Sequence, residues 1–145
     1  MKKERMITDM TCEDIRQYRN ETNAFAKMLG IECVEIRDGY ARSEMKVNDG
    51  LRNPQGAVHG GVYYTLADVA GANAAASSGD MVATLDSDFH FLRAGLQLNA
   101  LKAEAKALKR GKRISVFFVE VSDPDGRVLA SGTFTYSSLG KKIGE

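Results

Sequence analysis

Residues 60–76, Gly60-Gly61-Val62-Tyr63-Tyr64-Thr65-Leu66-Ala67-Asp68-Val69-Ala70-Gly71-Ala72-Asn73-Ala74-Ala75-Ala76, constrain the fold of this chain more than any other stretch. The segment holds no proline and many alanines, and Val62, Leu66, Val69, Ala70 and Asn73 fall at three-to-four-residue intervals, so it reads as one helix. Its small residues, Ala67, Ala70, Gly71 and Ala74, let a sheet approach the helix axis closely. Ser77-Ser78-Gly79-Asp80 closes it with loop chemistry.

The flanks supply that sheet. Upstream, Thr11 as a cap, acidic Glu13 and Asp14, and Ile15, Tyr18, Phe25, Met28 and Leu29 predict a helix over 11–29, stopped by Gly30. Residues 31–37 and 40–47 flank Asp38-Gly39, the signal of a tight hairpin. Downstream, Met81, Ala83, Leu85, Phe89 and Phe91 alternate with Thr84, Asp86, Asp88 and His90, which predicts a strand with an apolar and a polar face. Residues 98–109 fit either period and are read as strand. Residues 114–121, apolar on both faces apart from Ser115 and Glu120, predict a buried central strand. Asp123-Pro124-Asp125-Gly126 turns the chain into a last strand over 127–137, and residues 140–145 read as a frayed tail. The expectation is an α+β domain spanning 1–145, with a helical extension over 1–29, a tail at 141–145 and an antiparallel sheet wrapped on one long helix.

A length of 145 residues suits one domain, and a net charge of +1 gives no global pull toward nucleic acid or membrane. Cys12 and Cys33 share no metal-ligand spacing with each other or with His59 and His90, so no metal is expected. Met1-Lys2-Lys3-Glu4-Arg5 leads into no apolar signal segment, and no apolar run approaches the roughly 20 residues that span a bilayer, which makes cytoplasmic residence the default.

The chemistry gathers at Asn53-Pro54-Gln55-Gly56-Ala57-Val58-His59-Gly60-Gly61 and at Asp68. A helix starting near Gly60 leaves its first N–H groups unpartnered at the positive end of the dipole, and glycine lets a carbonyl approach them. Gly60-Gly61 serve equally as a sharp loop-to-helix turn. Asp68 has Leu66, Ala67, Val69 and Ala70 for neighbours, so its carboxylate faces either solvent or a function. Eight residues of helix separate Gly60 from Asp68, about 12 Å at 1.5 Å per residue, too far for one carboxylate to span. If both act on one carbonyl, the acid comes from another subunit and the protein is a homo-oligomer, dimer or tetramer. His59 is either a loop histidine bonded to backbone or a participant, and Asn53 either orients a water or caps its own loop. The basic run Lys109-Arg110-Gly111-Lys112-Arg113 reads as a solvated turn or a local anion site.

Taken together, Asn53, Gly56, His59-Gly60-Gly61 and Leu66-Ala67-Asp68 resemble the hotdog-fold acyl-CoA thioesterases of the PaaI type, the phenylacetate-pathway family. The resemblance extends from the first hairpin to Ser138 and includes Thr84-Leu85-Asp86, Phe89-His90-Phe91-Leu92-Arg93-Ala94 and the turn at Lys109. It implies hydrolysis of an acyl-CoA or aryl-CoA thioester, with no cofactor beyond the coenzyme A of the substrate. Gly60 would donate its N–H to the thioester carbonyl. Asp68 of the opposite subunit would be general base or nucleophile, with Asn53, His59 and Thr84 around the attacking water. Gly61, Arg93, Lys109, Arg110, Lys112 and Ser138 would bind substrate, the basic turn holding coenzyme A phosphates. His90 and Arg93 depart from the family pattern and bear on substrate preference. Two other functions fit the fold: a non-catalytic acyl-CoA sensor, for which the 30 or so preceding residues lack a recognition helix, and a hydratase or dehydratase, which wants a histidine–carboxylate pair at carbon.

Overall fold

A computed structural model describes residues 10–145, so the charged start at Met1–Arg5 lies outside the described residues. The elements run α1 (Cys12–Thr22), α2 (Ala24–Leu29), β1 (Glu32–Arg37), β2 (Tyr40–Lys46), α3 (Gly60–Ala75), β3 (Asp80–Phe91), β4 (Ala100–Arg110), β5 (Ile114–Ser122) and β6 (Val128–Lys142). The six strands form one sheet in the order β1-β2-β4-β5-β6-β3, every neighbouring pair antiparallel. α3 packs on it, chiefly against β2, β4 and β5, which is the hotdog arrangement. Small side chains allow that contact: Ala67, Ala70 and Ala74 of α3 and Ala41, Ala103 and Ala105 of the sheet are all 0% exposed. Among the described residues no helix is long and apolar enough to cross a membrane.

The helix expected over 11–29 is two helices. Thr11 and Asp14 form a reciprocal capping box at the start of α1. Asn23, at φ −84° and ψ 88°, then leaves the helical region: its N–H donates to the Arg19 carbonyl, and its side-chain oxygen accepts from Ala26 N at 3.1 Å. One asparagine thus ends α1 and caps α2. Ile15 is buried as expected, but Phe25 and Met28 are 55% and 74% exposed.

Three further expectations are corrected. β5 occupies an inner position, yet only its Phe117-Val119-Val121 face is fully buried, whereas Val116, Phe118 and Glu120 are half-exposed on the side away from α3. The tail is not frayed from residue 140, because β6 continues to Lys142, whose ammonium pairs with Asp80 at 2.6 Å, and Ile143 is buried. In β3 the simple alternation fails, since a register shift against β6 between Thr84 and Asp86 leaves Leu85 57% exposed. The inward parity changes across that bulge. Thr84 bonds to α3 before it, and Ser87 and Phe89 meet Tyr64 of α3 after it. Thr84 therefore belongs to the helix side and not to the polar face with Asp86, Asp88 and His90.

Candidate active site

The loop before α3 is fixed by Asn53. Its Oδ1 accepts from Gln55 N and Ala57 N, both at 3.0 Å, while its backbone N–H donates to the Ala57 carbonyl at 2.7 Å. Gly56 sits in this turn at φ +83°, a conformation that favours glycine. Arg52 and Val58 form an isolated bridge, and His59 N donates to the Leu51 carbonyl, so the chain arrives at α3 already oriented.

His59 is the N-cap of α3, and its Nδ1 accepts from Gly61 N at 2.8 Å. That bond uses the Gly61 N–H and requires Nδ1 to be unprotonated, which leaves any ring proton on Nε2. The cap therefore takes Gly61 out of the set of open donors. As the first residue of α3, Gly60 has an N–H without an intrahelical acceptor, and no other acceptor among the described residues meets it. A Cβ on Gly60 would stand 3.2 Å from Cε1 of Phe91, so the ring backs this donor. Gly60, Asn53, Tyr63, Phe91 and Arg93 line one cavity of about 270 Å³. Burial, with the Asp123 charge adding to it, pushes the Tyr63 phenol up, and its hydroxyl donates to the Arg93 carbonyl at 3.3 Å.

Asp68 lies half-buried two turns along the same helix. Thr84 Oγ1 donates to its Oδ1 at 2.8 Å and Tyr136 Oη at 3.0 Å, and Tyr136 also reaches the Asp68 carbonyl at 3.1 Å. Both side-chain donors meet Oδ1, and among the described residues Oδ2 has no hydrogen-bond partner. Arg19 of α1 donates to the buried Asn73 of α3. Burial lowers the Arg19 pKa, while Cys33, Tyr136 and Asp68 act in the opposite direction. Within one chain Asp68 and Thr84 come together, Gly60, Asn53 and Arg93 share another locus, and the two loci are separate.

The basic turn makes a third locus. Arg110, Lys112 and Ser138 line a cavity of about 290 Å³ with Ser78, Ser115, Arg113 and Lys142, whereas exposed Lys109 lies outside it. Ser138 Oγ donates to Asp80 Oδ2 at 3.1 Å, and Arg110 pairs with Asp38 at 2.6 Å. Of the cations around this cavity, Arg113 has no role in what the resemblance implies, although it belongs to the same basic run. Lys142 was hidden by the expected fraying of the tail. Tyr136 had no signal beyond its place in an aromatic, β-branched strand.

Residues 55–130 match the family model described as thioesterase superfamily. The chain is 32% identical over 110 residues to acyl-coenzyme A thioesterase PaaI of Escherichia coli (strain K12), covering 76% of this chain and 79% of that one. It is 29% identical over 117 residues to the 1,4-dihydroxy-2-naphthoyl-CoA hydrolase of Listeria monocytogenes serotype 1/2a (strain 10403S), covering 79% and 94%. The solved structure of the E. coli PaaI protein from the phenylacetic acid degradation operon superposes with a TM-score of 0.86 at 27% identity, covering 90% of this chain and 95% of that one.

Proposed function

The chain belongs to the thioesterase superfamily, and from that premise we propose that it hydrolyses acyl-CoA or aryl-CoA thioesters to the free acid and coenzyme A. In this reading Asp68 of one subunit removes a proton from water. The water oxygen adds to the thioester carbonyl, and the oxyanion that forms is met by the Gly60 N–H of the other subunit. Collapse of the tetrahedral intermediate breaks the carbon–sulfur bond, and the departing thiolate takes the proton that Asp68 removed from water, which restores the carboxylate.

The observation that carries this reading is the division of labour along α3. Among the described residues an N–H without an acceptor stands at the helix start, and a carboxylate with one unbonded oxygen stands about 12 Å along the axis, at the usual rise per residue. The distance asks for a second copy. β3 supports one, because it is an edge strand over Asp80–Phe91 that carries Leu85 at 57% exposure and, lining the Gly60 cavity, Phe91 at 56%. A long open edge is a template for pairing with another strand. Lys112 and Arg113 supply cationic donors suited to the phosphates of coenzyme A, beside Arg110 and Lys142, which are each already paired with a carboxylate. A hydratase is disfavoured by the His59 ring, whose Nδ1 is occupied by the Gly61 N–H.

Thiol release from short, long and aromatic CoA esters tests the proposal. Wild-type protein releases thiol, and Asp68→Asn, which keeps the shape and loses the base, lowers kcat by at least about 10²-fold. Equal turnover by Asp68→Asn rules out the base, and tight CoA-ester binding without thiol release establishes a sensor.

A further inference from the structure

Tyr136 is built into the molecule in a way that packing alone does not require. It is the register partner of Thr84 across β6 and β3, so the two hydroxyls reach Asp68 from adjacent strands and meet at the same oxygen. Their settings differ, since Thr84 is exposed and Tyr136 is 1% exposed. The phenol fits because residue 71 has no side chain: a Cβ there would overlap Tyr136 Oη and lie 2.9 Å from Cζ. The ring is held by Phe134, stacked at 6.4 Å, and by Phe117, edge-on at 6.0 Å. Its hydroxyl lies 3.0 Å from Asp68 Oδ1 and 3.1 Å from the carbonyl oxygen of the same residue. A single O–H shared between those two acceptors ties the carboxylate to its own backbone.

We propose that Tyr136 is a positioning residue for Asp68, locking Oδ1 together with Thr84 so that Oδ2 is the oxygen that takes the proton from water. This rests on the reading of Asp68 as the general base. The slot keeps the phenol a donor, because burial first and the Asp68 charge second push its pKa well above the ordinary value. The other charged or titratable groups acting on the pair are Arg19 from α1, a cation, and Tyr64 from α3. Neither is bonded to the carboxylate, so neither selects one oxygen over the other.

Tyr136→Phe in the full-length chain tests the assignment, because it keeps the ring and removes the hydroxyl. Losing one hydrogen bond to a charged group lowers kcat about tenfold or more, with KM changed less than about threefold. A carboxylate that has lost a donor is easier to protonate, so the acid limb of the kcat/KM profile moves to higher pH by about half a unit to one unit. A merely structural role lowers the melting temperature and the fraction of active protein, and leaves both the kcat per active site and the acid limb in place. Gly71→Ala displaces the hydroxyl instead of removing it and moves the limb in the same direction, which keeps the test open if Tyr136→Phe folds poorly. Wild-type kcat with an unmoved limb in a folded variant overturns the positioning role while leaving Asp68 as base. An active Asp68→Asn overturns the base itself.

Discussion

Gly60→Pro removes one hydrogen-bond donor and almost nothing else. Gly60 is the first residue of α3, where the N–H has no intrahelical acceptor and where proline is well tolerated. His59, at φ −61° and ψ 136°, already has the extended backbone that a residue before proline prefers. New ring atoms meet the side chain of Phe91, where even a Cβ would stand 3.2 Å from Cε1, so that ring must give by a few tenths of an ångström in either variant. Gly60→Ala makes the same contact and keeps the N–H, so it is the matched control. If the N–H stabilises the tetrahedral oxyanion, Gly60→Pro lowers kcat by about 10²–10³-fold, the range for a single oxyanion donor, and Gly60→Ala stays within about fivefold of wild type. The assay is thiol release under saturating substrate, with thermal melting to show that both variants are folded. Equal kcat for the proline and alanine variants would refute the reasoning, because the donor would then contribute nothing to the transition state.

The remaining expectations concern the basic cavity and the alkaline limit of stability. Arg113→Ala raises KM for CoA thioesters about tenfold with kcat little changed, and the effect disappears with a pantetheine thioester that lacks the nucleotide phosphates; the comparison of the two substrates is the check. Tyr40 is pushed up to about 12 by burial and by its hydrogen bond to Glu104 at 2.7 Å. Its folded-state pKa thus lies above the unfolded value near 10, so its contribution is complete below about pH 10 and is lost as pH rises from there to about 12. Tyr40→Phe flattens that part of the stability profile, measured by denaturant unfolding between about pH 9 and pH 12. Tyr136 loses stability over the same onset and leaves a residual slope.

How far the sequence reaches depends on the range of the interaction. The long helix was legible because its alanines and glycines announce a close approach, and Gly71 beneath Tyr136 realises it. The Asp38-Gly39 hairpin and the strand over residues 98–109 rest on local signals and are present. Asn23 was hidden because its side chain breaks one helix while capping the next, and the apolar spacing continues across it. Leu85 was misplaced because strict alternation has no term for a bulge, and that bulge is what brings Thr84 to Asp68. The Tyr136–Asp68 bond joins residues 68 apart, beyond any window of periodicity. The resemblance puts Arg93 and the basic turn in one substrate-binding set, and within one chain they line different cavities, because sequence order does not give the end of the sheet at which a turn emerges.

The central claim is that each site takes Gly60 from one subunit and Asp68 from another. Co-expression of Gly60→Pro chains with Asp68→Asn chains, each inactive alone, tests it most directly. In a mixed dimer one site carries both lesions and the other carries neither. With random pairing half the dimers are mixed and each has one working site, so thiol release recovers to about a quarter of wild type at equal protein, as expected for a site shared across a two-fold. If both residues serve a site within one chain, no mixed dimer holds an intact site, and activity stays at the level of the two inactive parents.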